Sequence, residues 1–181
     1  MKYAEAGINK TWIKTSVIYL VIVALMGVLL RLMFFAPVSG INFKNILHAH
    51  SHVALLGWLY SAFFAALVYY FLPVEKANHK KYKKLFWITQ IAVLGMLLSF
   101  PVQGYGAVSI AFSTMHIIAS YFFIYYFLKD YKKSNNLAIN PAKHSISASF
   151  IKASLFFMAL SSLGPWMMGP VMATGNQGTP S

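Results

Sequence analysis

The chain has 181 residues, of which 59% are hydrophobic and only 10% charged, and its formal net charge is +12. An ordinary soluble domain is roughly 45–50% apolar, so this composition excludes a water-soluble globule and makes a lipid bilayer the natural solvent. Cysteine is absent, which removes disulfides, thiolate metal sites and cysteine nucleophiles together.

Five apolar segments, at residues 15–36, 46–72, 85–101, 108–128 and 146–168, approach or exceed the roughly 20 residues a spanning helix needs. The first has too long an apolar core for a signal peptide, and no small-residue cleavage site ends it. It reads as a retained helix. Lipid offers backbone groups no hydrogen-bond partners, so each span is expected to be helical. The predicted fold class is therefore all-α: a polytopic integral membrane helical bundle of about five transmembrane helices, forming one domain over residues 1–181.

Basic residues set an expected orientation. Lys2, Lys10 and Lys14 precede the first span. Lys76, Lys80, Lys81, Lys83 and Lys84 lie between the second and third. Lys129, Lys132, Lys133, Lys143 and Lys152 lie around the fourth loop and the start of the fifth span. Only Arg31 and Lys44 fall on the opposite side. Lys and Arg accumulate in cytoplasmic loops, so the N-terminus is expected inside, in a multi-pass protein of a bacterial cytoplasmic membrane. The positive charge then needs no nucleic-acid partner, and the lipid bilayer with its anionic headgroups accounts for it. The tail GPWMMGPVMATGNQGTPS is rich in glycine and proline and neither charged nor helix-forming. It reads as a loop cut off before a further helix, in the N-terminal portion of a longer chain.

The stretch LHAHSHVALLGW places His48, His50 and His52 on alternate positions where the second span begins. At 1.5 Å per residue, His52 lies roughly 9 Å below the outer end of that span, and His116 roughly 12 Å below the outer end of the fourth. Two imidazoles at one level inside a membrane form a functional-site expectation. At about 100° per residue, His48 and His52 share a face and His50 points almost opposite, so one metal cannot take all three from a regular helix.

Helix two, LHAHSHVALLGWLYSAFFAALVYYFLP, resembles the second helix of the catalytic subunit of haem-copper oxidases and nitric oxide reductases, with its outer histidine, aromatic pair and closing proline. Counting back from Tyr69 and Tyr70, the resemblance implies that His52 is an axial ligand of a low-spin haem b. GVLLRLMF, with Gly27 and Arg31, resembles that family's first helix, which implies that Arg31 contacts the haem periphery. The likeness covers about the first 75 residues. FPVQGYG and STMHIIASY match only loosely, to bacterial membrane proteins resembling this subunit. The implied protein is a membrane electron-transfer component of a respiratory chain, with other respiratory subunits and a quinol or cytochrome c donor as partners.

His116 is the candidate second axial ligand and His48 a further cofactor contact, while Gly57, with Ala54, Ser61, Ala62 and Ala65, offers small side chains beside which a macrocycle or another helix fits. The family's second-metal histidine set has no counterpart here, so reduction of oxygen or nitric oxide is not expected of this chain alone, and copper is left open. The alternative is a transition-metal binding or transport protein, with His48, His52 and His116 joined by Met115, Met158, Met167, Met168 or Met172.

Trp12, Tyr69, Tyr70, Tyr82, Trp87, Tyr125, Tyr126, Tyr131 and Trp166 cluster at span ends as an expected aromatic belt. Gln103 to Gly106 read as a tight turn, His79 and His144 as solvated loop residues, and Glu5, Glu75 and Asp130 as interfacial carboxylates.

Overall fold

A computed structural model describes residues 9–36, 38–135 and 145–164. Among the described residues every regular element is a helix. Four are long and apolar enough to cross a membrane: α1 over Lys10–Phe35, α2 over Phe43–Phe71, α3 over Lys80–Gln103 and α4 over Ala107–Asn135. A single turn at Val74–Ala77 joins α2 to α3. The chain divides into two compact units, residues 1–134 and 135–181. In the second, α5 covers Ser145–Ser161, and its apolar part, Ser149–Ser161, is shorter than a span. The end of the expected fifth segment, like His144, Trp166 and the glycine-rich tail, lies outside the described residues.

Three of the helices begin earlier than hydropathy alone predicts, because polar residues upstream cap them. Asn9 accepts from Thr11 N at 3.1 Å, and Asn42 from Asn45 N at 3.2 Å. Each side chain satisfies one of the orphan N–H groups of a first turn. His79, expected to be merely solvated, does the same for α3, its Nδ1 accepting from Lys81 N at 3.2 Å.

α1 packs on α2, and α2 on α3. Hydrocarbon is as apolar as a leucine side chain, so close packing and polar ties must hold such helices together. Gly57 permits the tightest contact of α2, since a Cβ there would meet Val93 Cγ1 at 3.0 Å and the Tyr19 ring at 3.1 Å. Around it Tyr19, Val23, Ala49, Val53, Val93, Met96 and Phe100 form a core. A second, aromatic core is built where Trp12 stacks on Phe86 at 4.9 Å and Phe64 on Phe123 at 4.2 Å. Pairs of this kind add about 0.5–1.5 kcal/mol beyond burial. Trp12, Tyr82 and Tyr131 are buried in the bundle, so they are core residues and not the belt positions expected of them.

Two polar ties cross the apolar interior. Gln90 on α3 donates to Ser61 Oγ on α2 at 3.2 Å, so Ser61 serves interhelical bonding. Near the lysine-rich end of the bundle, Tyr82 donates to Asp130 Oδ2 at 2.7 Å, Lys81 pairs with the same oxygen at 2.5 Å, and Lys76 lies 3.9 Å from Oδ1. Asp130 is therefore a buried, fully engaged carboxylate.

Between α3 and α4 the fit depends on Gly95, where any Cβ would enter the Phe112 ring. Gly95→Leu is expected to cost about 1–3 kcal/mol through overpacking, and to lower the thermal midpoint of the purified chain in detergent. An unchanged midpoint would show that these helices do not meet at Gly95.

α2 is not regular throughout. Val53–Leu59 is a π-helical segment, with His52 just before it and Tyr60 just after. Such widened turns are rare and concentrate at functional sites. Ser16 on α1 donates to the Trp58 carbonyl at 3.0 Å, so one carbonyl of this segment is bonded from a neighbouring helix.

Candidate functional site

The first half of α2 carries its three histidines on two faces, as angular spacing predicts. His48 and His52 turn to α3 and the turn that follows it. The His52 ring lies flat on Phe100, with centroids 4.4 Å apart and planes 18° from parallel, and its Nε2 is 3.2 Å from the Tyr105 hydroxyl. His48 meets Tyr105 edge-on at 4.6 Å.

Local sequence fixes Tyr105. Gly104 takes φ of +59°, a left-handed conformation that favours glycine, and a Cβ there would lie 2.6 Å from Asn45 Oδ1. Asn45 Nδ2 donates to the Pro101 carbonyl at 3.4 Å, and Ser109 Oγ to the Gly104 carbonyl at 2.5 Å. The QGYG stretch is thus a turn pinned from α2 and from α4. Burial pushes the Tyr105 phenol above its ordinary value, and its hydroxyl shares with His52 Nε2 a hydrogen bond whose direction follows the imidazole tautomer.

His50 points the other way. Its Cε1 lies 3.4 Å from where a Cβ on Gly27 would stand. There an open-sided groove of about 520 Å³ is bounded on α1 by Ala24, Gly27, Arg31, Leu32 and Phe35, and on α2 by His50. Arg31 and Gly27 are therefore grouped with His50 and not with His52. Arg31 has no acidic partner among the described residues; the two ion pairs there both use Asp130.

His116 sits on α4, only 1% exposed. Its ring meets Tyr60 edge-on at 4.7 Å, and its Nδ1 is 3.3 Å from Ser120 Oγ, which donates to the His116 carbonyl at 2.9 Å. The Leu56 carbonyl, from the π-helical segment, approaches the same imidazole, and His52 lies close enough to interact with it electrostatically. Tyr60 and Ser120, neither anticipated from sequence, frame this residue. Their signal was positional: Tyr60 lies eight residues beyond His52 on the same helix, and Ser120 one turn beyond His116.

Three imidazole nitrogens, His48 Nε2, His50 Nδ1 and His116 Nε2, are buried with no hydrogen-bond partner. A buried polar atom without a partner costs free energy, and imidazole nitrogen is a good axial donor to haem iron. The rim expected around His52 is not assembled there. Gly57 faces Tyr19 and Val93, and Arg31 faces His50. Among the described residues no three His, Cys, Asp or Glu side chains are grouped to hold a metal ion. Of the methionines considered, Met115 and Met158 lie on α4 and α5, and Met167, Met168 and Met172 fall outside the described residues. Met96, which was not singled out, receives a hydrogen bond from Ser113 at 3.2 Å.

No protein-family model, curated protein or solved structure matches the chain.

Proposed function

We propose that the chain is a membrane redox protein that binds a b-type haem between α2 and α4, near the end of the bundle that carries Tyr105, and passes single electrons. The observation that supports it is the pair His52 and His116 on neighbouring helices, with His116 Nε2 buried and without a side-chain or backbone hydrogen bond of its own. In this reading His52, which now shares a hydrogen bond with Tyr105, and His116 would be the two residues that hold the haem. Haem would supply a one-electron couple whose potential follows axial ligand and burial. The chain's own part is to hold two neutral imidazoles in an apolar surrounding, with Phe100 fixing the plane of one ring and Ser120 the orientation of the other. Respiratory subunits, with a quinol or cytochrome c donor, are the partners this reading calls for.

The test is direct. Purified full-length protein, expressed with haem supply, is expected to show a Soret band and a reduced-minus-oxidised spectrum of the b type at one haem per chain. Protein that takes up no haem overturns the reading.

We further infer that the N-terminus and the loop around Lys76 to Lys84 are cytoplasmic and that Lys44 and Tyr105 face out, in a bacterial cytoplasmic membrane. Thirteen of the fifteen basic residues lie on the assigned inner side, as loop charge bias requires. With no native thiols, Lys44→Cys is expected to react with an impermeant maleimide on intact cells and Lys81→Cys only after lysis. Labelling of Lys81→Cys from outside reverses the orientation.

A further inference from the structure

The groove between α1 and α2 stands apart from the proposed axial pair. His50 faces it, whereas His52 lies against Phe100 of α3 and His116 against Tyr60. We propose that this groove binds the anionic headgroup of a membrane-dissolved amphiphile, a long-chain carboxylate or an acidic lipid, with Arg31 taking the head and the recess at Gly27 and Ala24 taking the start of the chain.

Charge is the first reason. Arg31 is exposed among apolar neighbours without an acidic partner in the described residues, and a guanidinium near a helix end reaches for the interface and its anionic headgroups. Its planar fork of N–H donors matches a carboxylate or phosphate in two parallel bonds.

Shape is the second. Ala24, Gly27, Arg31 and Phe35 recur at three- and four-residue steps, so they share one face of α1. The small residues lie one and two turns deeper than the cation, and the groove they form is open at its side, where a chain already dissolved in the bilayer enters without crossing water.

Depth is the third. Arg31 is four residues from the end of α1 at Phe35, or roughly 6 Å inside it at the helical rise, which is where headgroups give way to acyl chains. One turn deeper, at Gly27, His50 closes the inner end of the groove.

The probe is a diazirine-bearing palmitate, photoactivated with the full chain in phosphatidylcholine nanodiscs. Label is expected on peptides from α1 and the first half of α2. Arg31→Gln is expected to reduce labelling about tenfold, as loss of a charge-assisted pair does, and Arg31→Lys, which keeps the charge but not the fork, to retain only part of it. Ala24→Phe, which fills the recess and leaves the charge, is expected to block labelling, and it decides the matter if Arg31→Gln does not fold. The methyl ester of the probe is expected to label weakly, and millimolar inorganic phosphate not to compete. Equal labelling of parent and both variants, or equal labelling by the ester, overturns the proposal. Competition by phosphate also overturns it, in favour of a free-anion site. His52→Ala is expected to label like the parent, so loss of the haem reading and loss of this one are told apart.

Discussion

On the haem reading proposed above, His52→Ala is expected to abolish the low-spin b-type spectrum, because it would remove one of the two proposed imidazole ligands and leave at that place only the Tyr105 phenol, whose ligation gives a different spectrum. His79→Ala is the matched control. That imidazole caps α3 from an exposed position, and its loss is expected to leave the spectrum intact. His116→Met keeps a ligand but exchanges nitrogen for thioether sulfur, and is expected to raise the reduction potential, as His/Met ligation does relative to a pair of histidines. Haem stoichiometry, the absorption spectrum and a potentiometric titration read the three variants. A normal spectrum in His52→Ala together with its loss in His50→Ala would move the iron to the α1 face of α2.

Asp130→Ala is expected to be the most destabilising single substitution near the lysine-rich end. Its side chain is 7% exposed and is met by Tyr82 and Lys81, and bonds to a buried charge are each worth about 1.5–3 kcal/mol. Removing the carboxylate strands a phenol that is fully buried, and about 2–3 kcal/mol of stability is expected to go with it. Lys81→Ala breaks the same cluster from its solvated side. The lysine is 24% exposed but its partner is buried, so a loss of about 1–2 kcal/mol is expected, smaller than for Asp130→Ala because Tyr82 and Lys76 remain beside the carboxylate. Thermal unfolding in detergent, run as a double-mutant cycle with Tyr82→Phe, isolates the Tyr82–Asp130 coupling. Additive losses would show that the two side chains do not interact.

How much of this was legible in the sequence varies with the kind of signal. Continuous apolar length marks a spanning helix on its own, which is why α1 to α4 correspond to four of the expected segments. Angular spacing is equally local. It separates His50 from His48 and His52, and the rings do go to different helices. What sequence cannot encode locally is the identity of the neighbour. Gly57 looked like room for a cofactor and is the point where Tyr19 and Val93 close in. Arg31 looked like a companion of His52, yet it shares a groove with His50, because separation along the chain does not say which face of the next helix is presented. Asp130 sits near the end of an apolar run, as an interfacial residue would, and only the approach of α3 buries it. Tyr82 and Trp12 are misread as belt residues for the same reason: amphipathic rings at span ends suit an interface and an aromatic core equally well.

The π-helical turns at Val53–Leu59 give α2 a phase boundary. A widened turn amounts to one residue more than an α-helical path needs, and each residue advances the helix by about 100°. The two ends of α2 therefore keep independent angular settings: the downstream end is indexed by Tyr60 and Ser61 against α3 and α4, and the upstream end by its histidines. Losing one residue from this segment would anneal it to α-helix while both flanking halves kept their angular settings, so that His52 would stay on Phe100 and His50 at Gly27. The same deletion one turn beyond Tyr60 would have no slack to absorb. Tolerance of α2 to changes in length is thus confined to one seven-residue window.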